Sequence, residues 1–111
     1  MKLIRVGGAA AAAGLAWGHF EAGWVRLQRL PCQLPGLPPE LEGLRIAHLS
    51  DFHLGIPSRG EAAVERAVEW VEGRQPDLTL ISGDLLSRPG AEPRLRAFVG
   101  RLPRCFAVLG N

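Results

Sequence analysis

Residues 44–111 alternate three short apolar runs with two segments of helical period, and this alternation constrains the fold more than any other feature. The runs are Leu44–Ser50 (LRIAHLS), Leu78–Ser82 (LTLIS) and Cys105–Leu109 (CFAVL), each of strand length. Ser58-Arg59-Gly60-Glu61 has the form of a capping box, in which the serine hydroxyl and the glutamate carboxylate satisfy free amides at a helix start. Val64, Ala67, Val68 and Val71 then recur at i, i+3, i+4 and i+7, so they share one helix face. Gly73 is a natural C-terminal stop. Pro93 suits the first turn of a second helix. Leu95, Phe98, Val99 and Leu102 repeat the spacing, and Pro103 ends it. The order β-α-β-α-β predicts an α/β fold with parallel strands joined by right-handed crossovers. LTLIS is apolar enough to suit a parallel sheet covered on both faces.

The preceding residues are of a different kind. Lys2 and Arg5 lead into an uncharged stretch, Val6 to Phe20, which Glu21 ends. A basic start before a short apolar run predicts an apolar N-terminal helix at residues 1–21, acting as an export signal or membrane anchor. The run is shorter than the ~20 apolar residues that span a bilayer. Ala16 to Gly18 offers a small-residue cleavage site. Membrane association through residues 3–20, or export to the cell envelope, is therefore expected. Residues 22–43 contain a strand-like run, Trp24 to Leu30, and then PCQLPGLPPELEG, a proline- and glycine-rich linker. Residues 44–111 form the third unit.

Composition excludes several classes. With 111 residues, 47% hydrophobic and 22% charged, the chain is neither collagen-like nor wholly disordered. The net charge is +2, and the arginines are interleaved with glutamates, so no nucleic-acid footprint is seen. Cys32 and Cys105 fit no zinc or redox spacing and read as buried, inert thiols.

The residues that follow the strands carry the chemistry. Asp51-Phe52-His53 follows the first, Gly83-Asp84 the second and Gly110-Asn111 the third. Ligands of open parallel sheets bind outside the carboxyl ends of the strands. Asp51 and His53 are two apart, so in an extended segment both reach the same side. A carboxylate such as Asp84 has two oxygens and can bridge two cations, and Asn111 offers a neutral carbonyl oxygen. Gly83 and Gly110 remove side-chain bulk where the backbone turns beside the site. Mixed nitrogen and oxygen donors without thiolate suit Mn, Fe or Zn. His48 lies inside the first strand on the same face as Ile46 and reads as a packed histidine.

LRIAHLSDFHLG, LTLISGDLLS and FAVLGN, in this order, resemble the first three motifs of the calcineurin-like metallophosphoesterases. The resemblance covers residues 44–111. The proline-rich lead-in after an apolar N-terminus is similar to the exported or membrane-associated bacterial branch. The resemblance implies the first half of a two-sheet sandwich. It makes Asp51 and His53 ligands of one metal, Asp84 a bridge between two, and Asn111 a ligand of the second. It implies hydrolysis of a phosphomonoester, phosphodiester or pyrophosphate substrate with two divalent ions about 3.5–4 Å apart. The histidine or aspartate that follows Gly-Asn in the family, which aids the transition state or leaving group, is absent from these residues. So are the later histidine ligands, and residues 1–111 alone are expected to be inactive. The competing reading is a non-enzymatic α/β module that binds a metal or a partner. A receiver- or mononucleotide-type domain is weaker, because neither Gly-x-Gly-x-x-Gly nor a Gly-Lys-Ser/Thr loop is present.

Overall fold

The computed structural model describes residues 2–21, 23–57 and 59–110. The elements are α1 (Lys2–Glu21), β1 (Ile46–Ser50), α2 (Gly60–Glu72), β2 (Leu78–Ser82), α3 (Glu92–Gly100) and β3 (Cys105–Ala107). Single 3-10 turns occupy Pro39–Leu41 and Pro89–Ala91. The three strands form one parallel sheet in the order β1-β2-β3. Ile46 to Ser50 lie opposite Leu78 to Ser82, and Thr79 to Ile81 opposite Cys105 to Ala107. Parallel neighbours need long crossovers, and α2 and α3 supply them.

The core lies between the sheet and these two helices. Ala63, Val64, Ala67, Val68 and Val71 are all buried, so the apolar face read from the α2 spacing is the packed face. Phe98 and Leu102 add the contribution of α3 and its exit. From the sheet come Leu49, Ile81 and Thr79, and from the loops beyond the strands come Phe52, Leu54 and Leu85. Ion pairs then tie the outer surfaces of the helices together. Arg94 meets Glu61, and Arg101 bonds both Glu65 (2.5 Å) and Glu72 (2.6 Å). The hydrogen bond from Arg101 holds the Glu72 carboxyl below its usual range, with desolvation opposing it.

Several expectations need correction. Trp24 to Leu30 pairs with no strand among the described residues. Its side chains are mostly exposed, and only Val25 packs on the core, so no second strand satisfies its backbone. β1 starts at Ile46 rather than Leu44, and β3 stops at Ala107 rather than Leu109. Ser58, the first residue of the expected capping box, lies outside the described residues. Arg59 occupies the N-cap of α2 and makes no side-chain cap bond. Cys32 is exposed and Cys105 partly buried; both are free thiols. Burial pushes the Cys105 thiol pKa up.

Only one face of the sheet is covered among the described residues. Ile46, Leu80, Phe106 and Val108 stay exposed on the other. His48 shares this open face, so it is exposed rather than packed. Its Nε2 hydrogen-bonds Ser82 Oγ at 2.8 Å. Alternation assigns residues to faces; it does not say which face has a neighbour.

No described helix is long and apolar enough to cross a membrane.

Candidate metal site at the carboxyl ends of the strands

The loop after β1 runs alongside the loop after β2, and the backbone ladder continues past the formal strand ends. Asp51 donates its amide to the Ser82 carbonyl (3.1 Å), His53 to Asp84 (2.9 Å) and Leu54 to Leu85 (3.1 Å). Ser87 returns a bond to the Leu54 carbonyl at 2.8 Å. On the other side of β2, Val108 donates to Ile81 (2.8 Å) and Gly110 to Gly83 (3.0 Å). These bonds bring the residues after all three strands to one edge of the sheet.

Burial then sorts the side chains. Phe52 and Leu54 are 5% and 2% exposed, locked into the core, while Asp51 and His53 on either side of Phe52 are exposed. The backbone reaches this arrangement differently from a simple extended segment. Asp51 and His53 have φ of 57° and 45°, the left-handed region that non-glycine residues seldom occupy. Such conformations cost of order 1–3 kcal/mol each and persist where surrounding bonds enforce them. Here the core-locked Phe52 and the amide bonds to Ser82 and Asp84 do so.

Two glycines let the carboxylates approach the neighbouring backbone. A Cβ on Gly83 would lie 2.8 Å from Asp51 Cγ and 3.3 Å from the Asp51 nitrogen, and closer still to Oδ1. Gly83 also has φ of +79°. A Cβ on Gly110 would lie 2.8 Å from the Gly83 carbonyl carbon and against Asp84 Oδ1. Thus the Asp51 carboxylate sits on Gly83, and the Asp84 carboxylate on Gly110. The Asp84 amide makes a long contact, 3.4 Å, to Asp51 Oδ1. Among the described residues neither carboxylate makes an ion pair with a basic side chain.

The histidine is oriented from the β2 loop. His53 Nδ1 faces Ser87 Oγ at 3.5 Å. The hydroxyl of Ser87 can fix the imidazole tautomer and leave Nε2 outward, the usual role of a group behind a ligating histidine. Ser87 was not singled out by sequence reasoning; its place two residues after Leu85 in the loop is visible only once the loops are paired. Among the described residues, no three His, Cys, Asp or Glu side chains converge as a metal-holding group. Asn111, the remaining residue of the expected set, lies outside the described residues.

The family profile described as Calcineurin-like phosphoesterase matches residues 44–111. The chain belongs to this family. The matched span begins two residues before β1 and takes in all three strand-end motifs. UDP-2,3-diacylglucosamine pyrophosphatase LpxG of Chlamydia muridarum is 35% identical over 109 residues, covering 91% of this chain and 33% of that protein. The LpxG of Chlamydia trachomatis serovar D matches to the same extent. A transmembrane protein with metallophosphoesterase domain from Danio rerio is 43% identical over 81 residues, covering 68% of this chain and 18% of that protein. The chain therefore spans about a third of the LpxG relatives and less of the transmembrane one. No solved structure matches it. Calcineurin-like phosphoesterases generally use divalent metals, and membership supports phosphoester hydrolysis at the family level.

Proposed function

We propose that the protein containing this chain hydrolyses a phosphoester, with Asp51, His53, Asp84 and Asn111 holding two divalent ions of the Mn, Fe or Zn type. The observation that carries this reading is the pair of glycine-seated carboxylates. Two carboxylates from neighbouring strand ends are held against backbone that a single methyl group would displace. No basic side chain among the described residues pairs with either of them. Carboxylate oxygens with no basic partner are available as ligands for a divalent cation. An imidazole in the same loop and no thiolate fit a borderline, oxygen- and nitrogen-preferring ion.

Bound divalent ions supply Lewis acidity toward phosphate oxygens and acidify water. The chain's own residues do the positioning. Phe52 and Leu54 anchor the β1 loop in the core, Gly83 and Gly110 make room for the carboxylates, and Ser87 orients His53. No group within residues 1–111 is assigned as the general acid.

The substrate class is taken from the LpxG relatives, named as pyrophosphatases of UDP-2,3-diacylglucosamine. We extend that class, an amphipathic pyrophosphate or phosphodiester, to this protein. The name of the Danio rerio relative supports a membrane-associated or envelope location, which we assign to residues 3–20. The exposed apolar sheet face of Ile46, Leu80, Phe106 and Val108 supports a second sheet packing there.

The test is metal-dependent hydrolysis by the full-length protein and its Asp84→Asn variant, on a generic aryl phosphodiester and on UDP-diacylglucosamine. Hydrolysis by the wild type, lost by at least 100-fold in the variant, supports the assignment. Metal binding without hydrolysis of either substrate would instead favour the non-enzymatic module.

A further inference from the structure

Three aromatic rings stand together at the end of α1. Trp17 and Phe20 have centroids 6.3 Å apart, Trp17 and Trp24 6.4 Å, and Phe20 and Trp24 5.8 Å, the last two pairs edge to face. Such clusters normally bury their rings. Here Trp17 is 60% exposed, Phe20 46% and Trp24 64%. Leu27, Leu30 and Leu34 continue the exposed apolar surface along the following segment.

The cluster is fastened to the folded domain. Arg59, at the start of α2, places its guanidinium 5.5 Å from the Phe20 centroid. Arg66 on α2 donates to the carbonyl of the buried Gly23. A Cβ on Gly23 would come to 3.0 Å from Arg59 Cβ, so this position permits close approach of the segment to α2. Val25 then packs on the core.

Charge identifies the occupant. Residues 1–39 hold Lys2, Arg5, Arg26 and Arg29 against a single carboxylate, Glu21, whereas the rest of the chain has more Asp and Glu than Lys and Arg. Arg26 and Arg29 are exposed and form no ion pair among the described residues. Exposed tryptophans with polar indole tips, flanked by leucines and unpaired arginines, match the headgroup boundary of an anionic bilayer.

We infer that Trp17, Phe20 and Trp24, with Arg26 and Arg29, seat the protein in the interface of an anionic membrane without spanning it. This deepens the membrane location proposed above by naming the contact residues and their depth. The seat has a consequence for substrate entry. Trp24 and Leu27 line the same cleft as Asp51 and His53. A phosphoester carried on a lipid would then be presented to the cleft that the strand-end residues also line.

The test uses full-length protein and its Trp17→Ala/Trp24→Ala variant with vesicles of phosphatidylcholine, with and without phosphatidylglycerol. Tryptophan emission is quenched with lipids brominated near the glycerol backbone or near the chain ends. The expected result is shallow quenching that disappears in the variant, and vesicle partitioning that rises with phosphatidylglycerol and falls at least 10-fold in the variant. Hydrolysis of a soluble aryl phosphodiester is expected to be unchanged in Trp17→Ala alone, a residue outside the lining of that cleft, so the seat is tested separately from the metal site. Deep quenching at the chain ends, absence of quenching, or tryptophans shielded by self-association without lipid would each overturn the inference.

Discussion

Replacing Gly83 with alanine separates the two costs built into the strand-end site. The first is backbone strain. Gly83 has φ of +79°, where an L-residue costs about 1–2 kcal/mol. The second is steric. The new Cβ would sit 2.8 Å from Asp51 Cγ, closer than real Cβ atoms come, and a tight 3.3 Å from the Asp51 nitrogen. The Asp51 carboxylate is the mobile partner, because its amide is tied to Ser82 and its neighbour Phe52 is locked in the core. It is therefore expected to swing away. A domain with a stability of roughly 5–15 kcal/mol survives the first cost. A reacting constellation does not survive the second, since about 1 Å of misplacement can lower a rate about 100-fold. Gly83→Ala in the full-length protein should thus lose about 1–2 kcal/mol in chemical denaturation. It should lose at least about 100-fold in phosphodiester hydrolysis and much of its metal content. Gly90→Ala is the control: its Cβ would meet nothing within 4 Å, and both properties should stay near wild type. A folded Gly83→Ala protein with wild-type hydrolysis and metal content would refute the reasoning.

Other substitutions probe the scaffold. Ile81, in the central strand, is 1% exposed, so Ile81→Ala should cost about 2–5 kcal/mol by denaturant titration; a loss under about 1 kcal/mol would mean the sheet is not the core. Thr79 is fully buried, and its Oγ1 has no hydrogen-bond partner among the described residues. Thr79→Val should therefore stabilise the protein by about 1 kcal/mol, and a clear loss would reveal a partner for the hydroxyl. The depressed Glu72 pKa predicts that the Arg101 pair stabilises at neutral pH and weakens as pH falls through the folded-state value. On acidification the melting temperature of wild type should drop further than that of Glu72→Gln, and parallel curves would exclude a folding role for the pair.

The sheet and its helices were largely legible because their signals are local. β2 matches LTLIS from Leu78 to Ser82, and the buried face of α2 is the one its spacing predicts. What depends on neighbours was not legible. Trp24 to Leu30 has strand-like residues but no pairing strand, and His48 sits on a face with nothing over it among the described residues. The candidate site divides in the same way. Asp51, His53 and Asp84 could be picked out by their positions after apolar runs. The left-handed backbone at Asp51 and His53 could not: Asp and His enter this region more often than most residues, but few of them do, and here it goes with hydrogen bonds to Ser82 and Asp84, each 31 residues away. The reason for Gly83 and Gly110 also became specific only in three dimensions: each is the floor under a carboxylate.

The most direct test of the proposed metal site is the metal content of the purified full-length protein, by elemental analysis, beside Asp84→Asn. Two divalent ions per chain in the wild type, falling to one or none with the loss of hydrolysis, is the predicted result. Unchanged metal content and unchanged hydrolysis in Asp84→Asn would contradict it.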